Sequence, residues 1–258
     1  MQLHKLVADA GVRLIVHESI DSTNAAALRL AREGARESTW IVAREQTAGR
    51  GRRGRQWHSP QGNLYATLLL IGPCPPERAS QLSLVAGVAL HDAIVDLAPQ
   101  VAGQLTLKWP NDLIIGTAKV AGILVEGEGS GGNFSAAIGI GVNCRAHPDR
   151  LDYPTTDLAT ASALVPAEEV FDGLSRAMAE RLAQWNGGEG FDSVRAAWLA
   201  RAPNPGRPIR VRIAEAHIDG TFAGLGARGE LLLQLQSGAV RAITSAEVSH
   251  PGASPDLA

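Results

Sequence analysis

The chain has 258 residues, 45% of them hydrophobic, enough for one domain or for a large and a small one with a buried core. Its formal net charge of -2 excludes a generally basic nucleic-acid binder, and two cysteines, Cys74 and Cys144, exclude a disulfide framework or a four-cysteine zinc site. No stretch approaches the ~18 consecutive apolar residues of a membrane span, and no targeting leader is recognisable, which points to a cytoplasmic protein with no membrane partner.

In chain order, apolar 14–16 predicts a strand, 17–24 a polar loop, and the helix formers of 25–33 a helix. Ser22, Thr23 and Asn24 stand where an N-cap belongs, and capping is the commoner reason for such a cluster, although a helix N-terminus also offers free N–H groups to a ligand. A short buried strand over 40–43 runs into segment 44–57, where arginines at 50, 52, 53 and 55 interleave with glycines at 49, 51 and 54. Dense positive charge on a backbone costly to order asks for an anion, with a solvated surface loop as the competing reading. The acidic balance of the whole chain makes that charge local, which favours a small anionic ligand.

A second strand covers 63–71, so the arginine loop links two strands. A helix over 79–97 and a strand over 105–109 follow. Short apolar Ile114-Ile115, a Gly116-Thr117 turn, a strand over 119–126, a glycine-rich turn at 127–132 and a strand over 134–142 complete an α+β pattern: a mixed or antiparallel sheet with helices on one side. Val170, Leu174, Ala177, Met178, Leu182 and Trp185 mark an amphipathic helix over 170–185 whose apolar face is core. Beyond the breaker 203–206, four short strands at about 209–213, 216–223, 230–235 and 239–244 predict a small all-β module. Domains are thus expected at 1–205 and 206–258.

The pattern G-x-G-x-x-G occurs at 49–54, 127–132 and 224–229, which shows how little it discriminates. No helix follows the first, no acidic residue lies about 20 positions on, and no Gly-Lys pair exists, so neither a Rossmann site nor a P-loop is read. Lys108 to Asp112 place a cation, an indole, an amide and a carboxylate within five residues. Lys119 opens an apolar strand, where a lone lysine ordinarily faces water and otherwise aims its charge into a cleft. Gly139 and Gly141 either mark a bulge or let backbone approach a ligand.

Taken in this order, Ser22-Thr23-Asn24, segment 46–57, Lys108-Trp109-Pro110-Asn111-Asp112, segment 119–126 and Gly139-Ile140-Gly141-Val142-Asn143 resemble biotin protein ligases. The resemblance implies a class II synthetase-like α+β catalytic domain, with a mixed sheet flanked by helices, followed by a small SH3-like β-barrel. It implies formation of biotinyl-5'-AMP from biotin and ATP with Mg²⁺, then transfer of biotin to a lysine of a biotin carboxyl carrier protein. Biotin would be bound by Ser22, Thr23, Asn24, Gln46, Gly49, Arg50, Gly51, Arg52 and Lys119. ATP would be bound by Arg52, Arg55, Trp57, Asn111, Asp112, Lys119 and Asn143, with Asp112 also by the metal. Arg52 and Lys119 would be catalytic, and the arginine loop would act as a lid that orders around ligand.

His58 stands where many such enzymes carry an aromatic, and Ser245-Ala246-Glu247-Val248 where Gly-Glu-Val is common. The catalytic pattern begins by about residue 14, which implies the ligase-only type, without a helix-turn-helix domain or a DNA partner. Enzymes of this kind occur as monomers and as dimers, so a homodimer is compatible with the sequence. Two other readings are a lipoate or octanoate ligase of the same fold, and a nucleic-acid-binding protein gripping phosphates with its arginines.

Overall fold

The computed structural model describes residues 1–129, 134–149, 151–203, 205–214 and 216–249. In chain order come α1 (Lys5–Asp9), β1 (Arg13–Ile20), α2 (Thr23–Arg32), β2 (Thr39–Gln46), β3 (Leu64–Ile71), α3 (Gln81–Leu97), β4 (Leu105–Lys108), β5 (Asp112–Ile115), β6 (Ala118–Glu128) and β7 (Ser135–Val142). Helices α4 (Ala167–Trp185) and α5 (Phe191–Leu199) precede the strands β8 (Pro208–Ile213), β9 (Ala216–Leu225), β10 (Leu231–Gln234), β11 (Val240–Ile243) and β12 (Glu247–Ser249). A seven-stranded sheet has the order β1-β2-β3-β7-β6-β5-β4, and a five-stranded one the order β11-β10-β9-β8-β12. Among the described residues, β1 and β2 pair in parallel and the other neighbouring strands pair antiparallel.

Strand alternation explains the layers. Trp40 and Val42 of β2 face the large core shared with α3 and α4, where Trp40 meets the edge of Phe171 at 5.4 Å. Ile41 points the other way, into a second cluster with Leu69, Ala137 and the apolar face of α2. Helices therefore cover both faces of the sheet, correcting the expectation of one. Its central strands are apolar at consecutive positions, and such strands need cover on each side.

Several boundaries also move. Strand β1 continues through His17, Glu18 and Ser19, read from sequence as loop. It is an edge strand with half its residues open to solvent, so polar side chains are tolerated there. Helix α2 starts at Thr23 rather than Ala25, because extended Ser22 is its N-cap and accepts from the Ala25 N–H at 3.4 Å. Helices α1 and α5 and strand β12 were not anticipated. Residues 130–132 of the expected glycine turn, and Asn204 of the expected breaker, lie outside the described residues.

The second sheet meets the rest of the fold through aromatic groups. The Trp109 indole donates to the Gly229 carbonyl at 3.0 Å, and Trp198 of α5 meets Phe222 of β9 edge-on at 6.5 Å. Among the described residues no helix is long and apolar enough to cross a membrane.

Candidate active site

The N-terminus of α2 is the floor of a polar cluster. Ser22, Thr23 and Asn24 are all buried, and β2 and β3 bring partners to them. The Gln46 carbonyl accepts from the backbone N–H and hydroxyl of Thr23 at 2.9 and 3.1 Å, and the Gln46 amide donates to Ser59 at 3.0 Å. Thr67 lies 2.8 Å from the Thr23 hydroxyl and donates to Asn24 Oδ1 at 2.7 Å. Asn24 Nδ2 donates to the Leu124 carbonyl at 3.2 Å and to Glu126 at 2.8 Å. These bonds fix the orientation of both amides. A Cβ at Gly139 would stand 2.0 Å from Asn24 Oδ1, so this strand position takes only glycine.

Segment 47–63 between β2 and β3 begins tied to the end of β1, since Thr47 and Ala48 donate to the carbonyls of Ile20 and Asp21. It then folds back on itself: Gly51 donates to the Arg55 carbonyl at 2.7 Å and Trp57 to that of Gly49 at 2.9 Å. At the tip Arg53 (φ 58°) and Gly54 (φ 74°) adopt left-handed backbone. A Cβ at Gly49 would meet both Ser59 Oγ and the Trp57 carbonyl at 2.6 Å, so this glycine permits close approach.

Each arginine of the loop has an internal partner. Arg50 pairs with Glu126 at 3.0 Å, and Arg52 donates to Asn111 Oδ1 at 3.1 Å. Arg53 and Arg55 both pair with Glu247 of β12. The loop lies at the surface with Arg50, Arg53 and Arg55 part-exposed, but its arginines are engaged by partners rather than only solvated.

Lys119 and Asp112 form the charged centre. Their side chains meet at 2.6 Å and are only 15% and 18% exposed, so Lys119 does not face water at a strand end. The Lys119 ammonium also lies 5.3 Å from the Trp57 ring centre and 5.7 Å from that of Tyr153. Lys108 sits opposite Asp112 across β4 and β5. Burial holds the Lys108 ammonium below its ordinary pKa, and burial together with the neighbouring Arg53 does the same for Arg52. Concentrated cations with few water contacts suit anions that arrive with their own charge.

Trp57 lies on a floor made by two registered glycines, Gly122 of β6 and Gly141 of β7. A Cβ would stand 3.0 Å from the indole at Gly122 and 2.6 Å from it at Gly141. Its ring N–H is buried with no partner among the described residues. Asn111 donates to the Ile123 carbonyl at 2.7 Å. Asn143 is buried and donates its amide to the Thr156 carbonyl at 3.0 Å, tying the end of β7 to the following segment.

The residues singled out from sequence thus gather around one face of β6, β7 and the loop, except that Arg55 is turned to the second sheet. Sequence reasoning missed Ser59, Thr67 and Tyr153, and it named Lys108, Glu126 and Glu247 only as members of motif segments, without a place in the site. A hydroxyl at Thr67 within the apolar run 64–71 was a local signal for one of them. For Glu247 the Ser245-Ala246-Glu247-Val248 motif marked the segment, but its partners, far along the chain, were not legible from it.

Comparison with known proteins matches residues 16–143 to the biotin/lipoate A/B protein ligase family and residues 206–250 to the biotin protein ligase C terminal domain. A biotin--[acetyl-CoA-carboxylase] ligase of Paracoccus denitrificans is 44% identical over 239 residues, 90% of this chain and 98% of that protein. The bifunctional ligase/repressor BirA of Bacillus subtilis is 33% identical over 92% of this chain and 74% of that one. The solved biotin protein ligase from Aquifex aeolicus in complex with biotin and ATP is 28% identical with a TM-score of 0.74, covering 92% of this chain and 97% of that one.

Proposed function

Because the chain belongs to the biotin/lipoate A/B protein ligase family, we propose that it is the enzyme that activates biotin with ATP and joins it to a carrier-protein lysine. The observation that carries this reading is the group of Arg52, Lys108 and Lys119 around Asp112, next to Trp57 on its glycine floor.

In the first step a biotin carboxylate oxygen attacks the α-phosphorus of ATP, the bond to the bridging oxygen breaks and pyrophosphate leaves. Two anions must meet, and Lys119 and Arg52 supply the opposing charge where phosphoryl charge builds up. The carboxylate is ionised at neutral pH, so the step needs no general base. In the second step a neutral lysine amine attacks the anhydride carbonyl. The C–O bond to AMP breaks, AMP leaves with that oxygen, and the amine gives up a proton as the amide forms.

The Thr23, Asn24, Gln46 and Thr67 cluster offers the fixed polar groups a ureido ring needs, with Ser22 capping the helix beneath it and Gly49, Arg50 and Gly51 above. Trp57, with its unpartnered ring N–H, supports a nucleotide or biotin acceptor there, and Asn111, Asp112 and Asn143 line the phosphate and adenine side. Arg55 acts by holding the loop rather than by touching ATP.

A magnesium ion, if carried by the nucleotide, would find Asp112 as its protein ligand. Asp112 is a single carboxylate, and among the described residues no cluster of three or more His, Cys, Asp or Glu could hold a metal by itself. That donor set fits an ion carried by phosphates and touched by one carboxylate, where it would neutralise phosphate charge. Free thiols at Cys74 and Cys144 suit a reducing cytoplasm. We place the boundary between catalytic domain and C-terminal domain at 205/206. We propose a biotin carboxyl carrier domain as the acceptor; the Paracoccus ligase is named for acetyl-CoA carboxylase.

A phosphate grip on nucleic acid is disfavoured by the internal partners of all four loop arginines, and a lipoate ligase by the match at residues 206–250. The deciding experiment is biotin-dependent exchange of labelled pyrophosphate into ATP, with lipoate run beside biotin. Exchange with biotin alone is expected; exchange with lipoate alone, or with neither, overturns the reading.

A further inference from the structure

Resting on that function, we propose that Glu126 is a positioning residue that fastens the arginine loop to the biotin pocket. Two separate elements converge on one carboxylate oxygen of β6, Oε2 of Glu126 near the strand's end. Asn24 of α2 donates to it at 2.8 Å, and Arg50 of the loop donates at 3.0 Å.

The two sides of this junction differ in mobility by construction. Asn24 is buried, its Oδ1 accepts from Thr67, and both N–H groups of its amide are engaged by Leu124 and Glu126. It also rests directly on Gly139, with no room for a side chain between them. Arg50 is nearly half exposed and belongs to a loop held mainly by side-chain pairs and its own turn. Glu126 therefore stands as the fixed end of a latch, and Arg50 as the end that can leave. An ionised carboxylate suits this place because it accepts from both donors at once and attracts the guanidinium over the last few ångströms.

The consequence is a separation of roles. The hydrogen bond to Asn24 shapes the pocket and bears on biotin affinity. The ion pair to Arg50 keeps the loop shut over the reactive intermediate, and so bears on how long biotinyl-AMP is retained.

The test measures KM for biotin by pyrophosphate exchange, and biotinyl-AMP release by loss of labelled intermediate from the purified full-length enzyme. Glu126→Gln keeps an acceptor for Asn24 but removes the charge facing Arg50. It is expected to release intermediate about fivefold faster while KM for biotin changes less than about twofold. Arg50→Ala, which leaves the sheet untouched, is expected to release the intermediate as fast as E126Q, and the double variant to release it no faster than either single one. Glu126→Ala, which deprives Asn24 as well, is expected to raise KM for biotin about fivefold. Release from E126Q at the wild-type rate, or fully multiplicative effects in the double variant, overturns the latch. A wild-type protein without biotin-dependent exchange overturns the function itself, and is seen before any variant is made.

Discussion

The carboxylate of Glu247 pairs with the guanidinium of Arg55, so the last described strand of the C-terminal sheet holds the arginine loop. Arg53 and Arg212 share the same carboxylate, which makes Glu247 the hub between the two sheets. Replacing Glu247 with Ala is expected to free the loop. Tryptic cleavage at Arg53 and Arg55 should accelerate by about tenfold, and KM for ATP should rise about fivefold, as for loss of a partly buried charge pair. Unchanged proteolysis of the loop would show that Glu247 does not anchor it.

Lys119→Ala removes the ammonium that lies between Asp112, Trp57 and Tyr153. Adenylation is expected to slow by on the order of a hundredfold, as for loss of one oxyanion-type donor. Near-normal pyrophosphate release would remove Lys119 from the mechanism.

Arg52→Gly breaks the contact with Asn111 and takes away a cation from the phosphate side. Weaker retention of biotinyl-AMP is expected, with the leaked anhydride labelling bystander lysines on added albumin. Intermediate affinity equal to wild type would falsify this.

Gly141→Ala puts a methyl group where the Trp57 indole lies, 2.6 Å away. The expected result is a stability loss of about 1–3 kcal/mol and an exchange rate at least about tenfold lower. Adding Trp57→Ala should recover stability by relieving the overlap, yet leave exchange low. Recovery of both together would mean that the indole only fills space. Urea unfolding and exchange kinetics on the two variants distinguish these outcomes.

Asp92 supplies a pH-dependent prediction far from the active face. Burial would raise its pKa, but hydrogen bonds from His91, Arg181 and Arg201 outweigh that and hold the carboxylate below its usual range. Because the folded-state pKa is depressed, this stabilisation is present above the ordinary carboxylate value of about 4 and is lost as pH falls below it. Asp92→Asn should cost about 2–4 kcal/mol at pH 7, since it leaves two half-buried arginines short of a counter-ion, and the gap from wild type should shrink by pH 3. A gap that is equal at both pH values would sink the assignment.

Much of the fold was legible because its causes are local. The continuous apolar runs within 40–43 and 63–71 marked the central strands, and the stripe from Val170 to Trp185 marked a core helix. Strand β1 was read too short because an edge strand tolerates polar residues that otherwise signal a loop. Strand β12 was missed because its three residues carry no alternation of their own and are strand only by pairing with β8. The layer on the second face was missed because α2 is short and its cluster small.

For the site, the sequence alone determined which chemical groups are available: four arginines among glycines, Lys108 to Asp112, Lys119, and a Ser-Thr-Asn cap. Their types and order carried the resemblance to biotin ligases, since charge, flexibility and capping are properties of short segments. Only the tertiary structure decided how those groups are engaged. It gave Arg50 to Glu126, Arg52 to Asn111, Arg53 and Arg55 to Glu247, and Lys119 to Asp112 beneath the Trp57 ring. Such pairs form at contact distances of about 3 Å between residues far apart in the chain, and they depend on strand register and on how the two sheets dock. No local pattern encodes that.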